Sequence, residues 1–494
     1  MSVFMSFARI AQFTAANLRF AVALLAAATL NSAWAAPPPM AMLSTDNSVT
    51  NNPEGLFDFL DNIKRSSVLL GDMWGLRTWL SQHGMVLAIE ETSESLGNAS
   101  GGTKTGSAYD GLTQVLLQMD TQRAFGHYGG LFNLSLLDNH GNNLSADQLS
   151  TLQTASGIEA DPGARLWELW YDQKFLDEDR LDIKIGQQSL DQEFMVSSNA
   201  LYFVNTMFGW PMLPSADMPG GGPAYPLSVL GVRFSARPID GTQILAGIFN
   251  GSPDQRQYGD PQVMDPHGVS FPWGGGVLGI VEAQFSYPAL GSMVEPGQDA
   301  DLGWTFRIGA WYDSRSFADQ RLDQNGVSLA NSLSNGQAAQ HTGDYAAYAV
   351  LDKLIWRDAA NPNRTLSFFT RVMGTPLADR NLIDASLNAG VLLRAPFVYR
   401  TMDSFGVGMG YAHVSSQAAA LDQDTILYTG VQQPVRSDER FVEMTYQYQL
   451  RPWIQLQPDV QYVSNPGAGV ANPYIPSQRI ANEWVMGLRT NISF

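Results

Sequence analysis

The sequence predicts an all-β protein: a transmembrane antiparallel β-barrel of about 16 strands, with a short N-terminal helical segment. Three observations carry that expectation. Apolar and polar residues alternate with the strand period from residue 85 onward. The segments between the alternating stretches are long and short in turn. An export signal opens the chain, yet no later apolar run is long enough for a spanning helix. An exported chain that enters a membrane without such helices must do so as a closed barrel, the other fold that pairs every backbone polar group in lipid.

The export signal comes first. Arg9 and Arg19 precede the apolar run from Phe20 to Ala28, and Ala33-Trp34-Ala35 has the small-x-small form that signal peptidase accepts. Residues 1–35 are therefore expected to be cleaved. That removes two arginines and no acids, so the formal charge of −18 falls to about −20. Residues 36–84 form a polar spacer with prolines 37, 38 and 39, followed by short helices. Leu56, Phe57, Leu60 and Ile63, then Trp74, Leu76, Trp79 and Leu80, recur at helical spacing up to His83-Gly84. Such helices could pack on the periplasmic mouth, plug part of the lumen or bind a partner.

Residues 85–494 are expected to form the barrel. Strands are read at 85–92, 109–120, 129–138, 164–175, 181–188, 227–237, 242–251, 276–288, 302–313, 343–355, 365–374, 385–395, 403–415, 438–450, 453–464 and 482–494. Phe132, Leu134 and Leu136 alternate with Asn133 and Ser135, and Leu302, Trp304, Phe306, Ile308 and Ala310 alternate with Thr305, Arg307 and Trp311. The clearest hairpin sets Val442, Met444, Tyr446, Tyr448 and Leu450 against Glu443, Thr445, Gln447 and Gln449. It turns at Arg451-Pro452 and returns through Ile454, Leu456, Val460 and Tyr462. Odd-numbered connections span about 10 to about 38 residues and even-numbered ones about 2 to about 13, as short periplasmic turns and long outer loops require. A soluble sandwich has no reason to sort its loops by parity. The final stretch Trp484 to Phe494 has an apolar face and stops on an aromatic residue, resembling the terminal strand that barrel-assembly machinery recognises.

Composition narrows the chemistry. With no cysteine, thiol catalysis, disulfide scaffolds and cysteine metal sites are excluded. A charged fraction of 15% with 46 glycines is unlike an acidic disordered chain, and net negative charge disfavours nucleic acid as a partner. No nucleophile elbow, paired-histidine zinc helix, P-loop or dinucleotide fingerprint is present, so neither an enzyme nor a cofactor is expected. The six histidines, at 83, 127, 140, 267, 341 and 413, are too widely spaced to mark a metal site. Acid pairs such as Asp177, Glu178 and Asp179, or Asp299 and Asp301, fall in turns and read as solvated.

The alternation points a set of charges into the lumen: Glu168, Asp172, Lys184, Arg233, Arg237, Glu282, Arg307, Arg371, Glu443 and Arg489. Both signs on a face of amides and hydroxyls suit a neutral polar solute, because guanidinium and carboxylate offer donors and acceptors to vicinal hydroxyls. Trp311 offers a ring for the C–H face of a pyranose. Cross-strand pairing that merely fixes the wall is the competing reading for each residue. The connection 189–226 carries Phe194, Tyr202, Phe203, Phe208, Trp210 and Tyr225 with Gly220, Gly221 and Gly222. So aromatic a loop would be poorly soluble standing in water, so it either folds into the lumen as a constriction, through Phe208, Trp210 and Tyr225, or packs over the rim.

These residues resemble the carbohydrate-selective porin family of Gram-negative outer membranes, the OprB type. The match is closest in the block from Gln457 through Pro458, Asp459, Gln461, Tyr462, Asn465 and Pro466 to Gly467, followed by Gly487, Arg489 and the terminal Phe494. Phe369, Arg371, Pro376, Asp379, Arg380, Asn381, Gly390, Arg400, Asp403 and Gly406 fit a second stretch; Leu169, Tyr171, Ile185, Gly186, Phe194, Tyr225, Pro226 and Gly231 fit the first half. The placement of strands 85–92 and 385–395 also draws on this pattern. Where the family has Gly-Lys on the fifth strand, this chain has Gly186-Gln187. The resemblance implies a sixteen-stranded barrel, passive diffusion of monosaccharides such as glucose, and a constriction lined by arginine, acidic and aromatic side chains. Its alternative is a general or weakly cation-preferring pore. Outer-membrane lipid and neutral sugars are the expected partners; a homo-oligomer is compatible, though no single stretch marks an interface.

Overall fold

The computed structural model describes residues 67–253, 260–287 and 302–494. The export signal, the spacer, the first helical stretch and the pair Asp299 and Asp301 lie outside the described residues.

The strands are β1 (Met85–Gly102), β2 (Gly106–Asp120), β3 (Gly130–Gly141), β4 (Gly163–Phe175), β5 (Leu181–Gln188), β6 (Val229–Ile239), β7 (Thr242–Asn250), β8 (Val277–Tyr287), β9 (Trp304–Asp323), β10 (Ala338–Arg357), β11 (Thr365–Gly374), β12 (Ile383–Arg394), β13 (Ser404–Val414), β14 (Asp438–Arg451), β15 (Ile454–Ser464), β16 (Ala471–Asn472), β17 (Ile475–Arg479) and β18 (Ala481–Ser493). β16 and β17 make a small separate hairpin; the other sixteen close into one antiparallel barrel, each beside its sequence neighbour, with β18 sealing against β1. Every strand read from the alternation is present, and 181–188 and 365–374 carry the expected bounds.

Two expected loops are strand instead. β1 runs ten residues past the expected 92 (102 − 92) to Gly102, and β9 and β10 continue as a paired ribbon through Gln340↔Ala318 to Ala338↔Asp323. On these extensions the outward face carries polar residues such as Ser95 and the inward face buries polar Glu94, Asn98, Asp319 and Asp323, so no apolar alternation marks them. Short turns, among them 176–180 and 452–453, gather at the end of the barrel that is periplasmic in an outer-membrane protein. The helix α1 (Leu76–Gln82) lies there too: Arg77 donates to the carbonyl of Phe494 and Arg123 Nη2 to Ser81 O at 3.0 Å. Of its apolar residues Leu80 is buried while Trp79 is exposed, so α1 rests on the rim.

Beside the longest loop β5 and β6 are short, so the chain leaves the wall at Gln188 and rejoins it at Val229 while β4 continues up to Gly163. The loop mouth is tied by Ser189 N to Glu168 Oε1 at 3.0 Å, Leu190 N to Pro223 O at 2.7 Å and Tyr225 N to Asp191 Oδ2 at 3.0 Å. Burial raises the Asp191 carboxyl above its ordinary range against those hydrogen bonds. The loop 189–228 turns inward and packs against the inner wall.

A hydrophobic core therefore forms inside the barrel. Phe194, Met195, Phe203, Met207 and Phe208 of the loop pack on Phe249, Ile280, Trp311, Tyr348, Phe369 and Phe441 of the wall. β13 makes room for it with Gly406, Gly408 and Gly410 on its inner face; a Cβ at Gly408 would stand 2.6 Å from the Phe208 ring. The helix α2 (Met212–Asp217) ends on Asp217, whose Oδ1 accepts the N–H groups of Leu382 and Ile383 at 3.1 and 3.2 Å. Burial pushes that carboxyl well above its usual range.

Candidate functional site

The inward charges fall into groups held by different elements. On β4, β5 and β6, Asp172, Lys184 and Arg233 share one face, because Asp172 pairs with Lys184 and Lys184 with Arg233 in register. The loop adds Glu193, four residues past its start. Lys184 and Arg233 both bond to Glu193, Arg233 also forms an ion pair with Asp182, and Lys184 Nζ stands 4.7 Å over the Trp170 ring. Arg233 Nη2 lies 3.9 Å from Asp172 Oδ1, too far for a direct hydrogen bond but a span that one hydroxyl can bridge. Two cations thus meet three carboxylates beside an indole face. Glu193 is the most accessible of the five, its side chain 22% exposed.

Opposite charges on β8, β9 and β10 are occupied with the loop. Glu282 Oε2 accepts Met195 N at 2.8 Å and Tyr348 Oη at 2.9 Å. Arg307 Nη1 donates to Asp352 Oδ2 at 3.0 Å, and Asp352 Oδ1 accepts from Ser197 Oγ at 2.7 Å and from Asn199 N at 3.2 Å. Arg371 is 1% exposed: Nη1 donates to Met195 O and Gly209 O at 2.8 and 3.0 Å, and Nη2 to Met207 O. On the closing side Glu443 accepts Val204 N and Asn205 N at 2.6 and 3.0 Å, and Arg489 bonds Glu94 while Nη2 reaches Val204 O at 3.3 Å.

The candidates chosen from sequence consequently divide. Arg233 stands in the mixed cluster, and Glu168 beside it fastens the loop mouth. Glu282, Arg307 and Arg371 point inward as expected, but they hold the loop down. Arg237 binds the carbonyls of Glu178 and Asp179, both at 2.7 Å, in a periplasmic turn. Trp311, 2% exposed, is covered by the loop, so its ring is not presented to a solute. Phe208, Trp210 and Tyr225 sit on the inward loop, the first two buried and Tyr225 partly so: Phe208 on Phe369 and Phe441, Trp210 through Nε1 to Gly221 O at 2.9 Å, Tyr225 through Oη to Ile158 O at 2.9 Å.

Asp182, Glu193, Asp352 and Glu94 were not singled out from sequence. Asp182 carried a visible signal, its alternation with Ile183 and Ile185. Glu193 lies in a loop with no period to read.

A sixteen-stranded antiparallel barrel with short turns at one end, an inward loop and a charged interior defines an outer-membrane porin. The model of the carbohydrate-selective porin, OprB family, matches residues 104–494, and the chain belongs to that family. It is 24% identical over 424 residues to Porin B of Pseudomonas aeruginosa, covering 81% of this chain and 87% of that protein. It is 21% identical over 451 residues to the putative porin QuiX of Acinetobacter baylyi, covering 86% and 93%. The high-pH structure of Pseudomonas putida OprB superposes with a TM-score of 0.75 at 22% identity, over 87% of this chain and 99% of that one.

Proposed function

We propose that this porin passes monosaccharides such as glucose passively into the periplasm, and that the cluster of Asp172, Lys184, Asp182, Arg233 and Glu193 beside Trp170 is the sugar-contacting part of its pore. The observation that carries the reading is the 3.9 Å gap between Arg233 Nη2 and Asp172 Oδ1 within reach of an indole: donor, acceptor and aromatic face are those a pyranose engages. Both signs lie together, so a neutral solute exchanges hydration for paired contacts without crossing a strong net field. A concentration gradient supplies the drive, and no catalytic step or cofactor is required. The export signal and the terminal Phe494 fit delivery to the outer membrane through the barrel-assembly machinery.

Single-channel conductance in a planar bilayer, titrated with glucose and with a neutral non-sugar of similar size, tests this. Saturable closure by glucose alone is expected, and weakening of that closure at least several-fold in Arg233→Ala. Channels indifferent to both solutes, with cation preference in the reversal potential, would replace it with a general diffusion pore.

A further inference from the structure

Two carboxylates confront each other on the inner wall, just below the point where β9 and β10 continue as the outer ribbon. β9 turns Arg307, Trp311 and Asp313 inward, and β10 turns Asp344, Ala346 and Tyr348 inward. Asp313 is the register partner of Asp344, so the two acids are directly opposed. A bulge at Gly343 sets that phase; its φ is +80°, and a Cβ there would stand 2.7 Å from Tyr312 Oη. The acids are 1% and 0% exposed, and like charges opposed on neighbouring strands destabilise a sheet.

Their oxygens are only half used. Asp313 Oδ1 accepts Arg315 N at 2.9 Å and Asp344 Oδ1 accepts Asn381 Nδ2 at 2.8 Å. Oδ2 of each acid is buried with no hydrogen-bond partner among the described residues. Asn381, itself 1% exposed, lays its amide against the pair, and its Oδ1 is unpartnered as well. Arg315 and Arg380 lie nearby but are turned elsewhere. Arg380 donates to Asp379 Oδ1 at 3.0 Å and to Gly343 O at 2.6 Å. Arg315 runs toward Asn250: a Cβ at Gly275 would stand 3.8 Å from Arg315 Nη1 and 3.7 Å from Asn250 Oδ1.

An ionised carboxylate taken out of water has to be paired, neutralised by a proton or bound to a metal. We propose that Asp313, Asp344 and Asn381 bind a divalent cation of the calcium type on the outer side of the lumen. Three unpartnered oxygens, two from carboxylates and one from an amide, are the hard ligands such an ion takes, and water completes its shell. Among the described residues no three acidic or histidine side chains gather as a metal cage. The protein therefore supplies two charges, which places the site with weak extracellular calcium sites, whose dissociation constants are about 0.1–1 mM. Asn381 runs on into Leu382 and Ile383, whose N–H groups hold Asp217 at the end of α2. The ion thus braces the corner where the inward loop is anchored. This goes beyond the transport reading and does not depend on which solute passes.

Terbium(III) takes the oxygen ligands that calcium takes and emits when excited through a nearby indole. Trp311 stands two residues before Asp313 on the same inner face. The protein, folded in detergent without lipopolysaccharide, would be titrated with terbium and then with calcium. Saturable emission that calcium displaces is expected, with a higher temperature of heat-modifiable unfolding in calcium than in EGTA. The double variant Asp313→Asn, Asp344→Asn keeps the side-chain shape and removes the repulsion. In it terbium affinity is expected to fall on the order of tenfold, and the calcium effect on unfolding to vanish. Wild-type affinity kept by the folded variant would show ions sitting adventitiously on other acids and would overturn the proposal. So would a wild type with no calcium-displaceable emission and equal unfolding temperatures in calcium and EGTA, a result that needs no variant to fold; a proton shared between the two carboxylates would then take the place of the ion.

Discussion

Arg371 illustrates how far a single side chain can be read from sequence. Its inward direction follows from alternation with Thr370 and Val372, and Asn388 on β12 is one partner, but its three carbonyl partners lie on a loop more than 160 positions earlier, where no periodicity exists to place them. A guanidinium that satisfies three backbone carbonyls is a clamp, and each carbonyl left buried without a donor costs roughly 1–3 kcal/mol. Arg371→Met is therefore expected to free the loop, raising single-channel conductance and lowering the temperature of heat-modifiable unfolding. Conductance equal to the wild type would show that the remaining anchors suffice. Trp311 carries the same lesson. Its inward phase was legible, whereas its burial depended on which wall the loop would choose, and the clue was the inward glycine run Gly406, Gly408, Gly410 on β13.

At the scale of elements, strands were legible where one face meets lipid and unreadable where neither does. That is why the alternation marks the ends of β5 and β11 and why the outer ribbon of β9 and β10 reads as loop. The lipid-facing phase can be tested directly: Ile308→Asp places a charge on a position 47% exposed to the bilayer and should cost about 1–3 kcal/mol, visible as reduced assembly into heat-resistant barrels. The loop 142–162 is a second inward element, fastened by Gln153 N and Leu152 N to Glu439 at 2.7 and 2.9 Å. Within it Glu159 Oε1 accepts Ser145 N at 3.1 Å while Oε2 is buried without a partner. Burial raises this carboxyl from 4.5 to about 8. The folded loop then binds more protons than the unfolded chain between those values, so its docking weakens as pH rises through that window. Glu159→Gln should remove this dependence, leaving the protease sensitivity of 142–162 in the folded protein the same at pH 5 and pH 8, whereas the wild-type segment is cut faster at pH 8.

The whole molecule combines an acidic sequence with an interior where charges of both signs are paired. The formal charge of −18 alone would have suggested a cation path; geometry redirects that expectation, since many of the inward carboxylates are engaged with arginine, lysine or loop N–H groups. Ion selectivity should accordingly be weak, and a reversal potential near zero in a potassium chloride gradient would bear this out. The barrel class was readable from loop parity and the missing helices. The interior was not, because it is built from contacts between a loop and strands distant in sequence.

The seam deserves a last consequence. Val485 through Ser493 zip onto Asn98 through Glu90, Phe494 N donates to Ile89 O, and Arg77 reaches the carbonyl of that same final residue. The ring therefore shuts only when β18 reaches β1, and that event joins positions nearly 400 residues apart. Loops that long close slowly, and until they do both lips of the wall expose unpaired amides. For this molecule, time spent open is the hazard, and how quickly β18 reaches β1 matters as much as the stability of the finished cylinder.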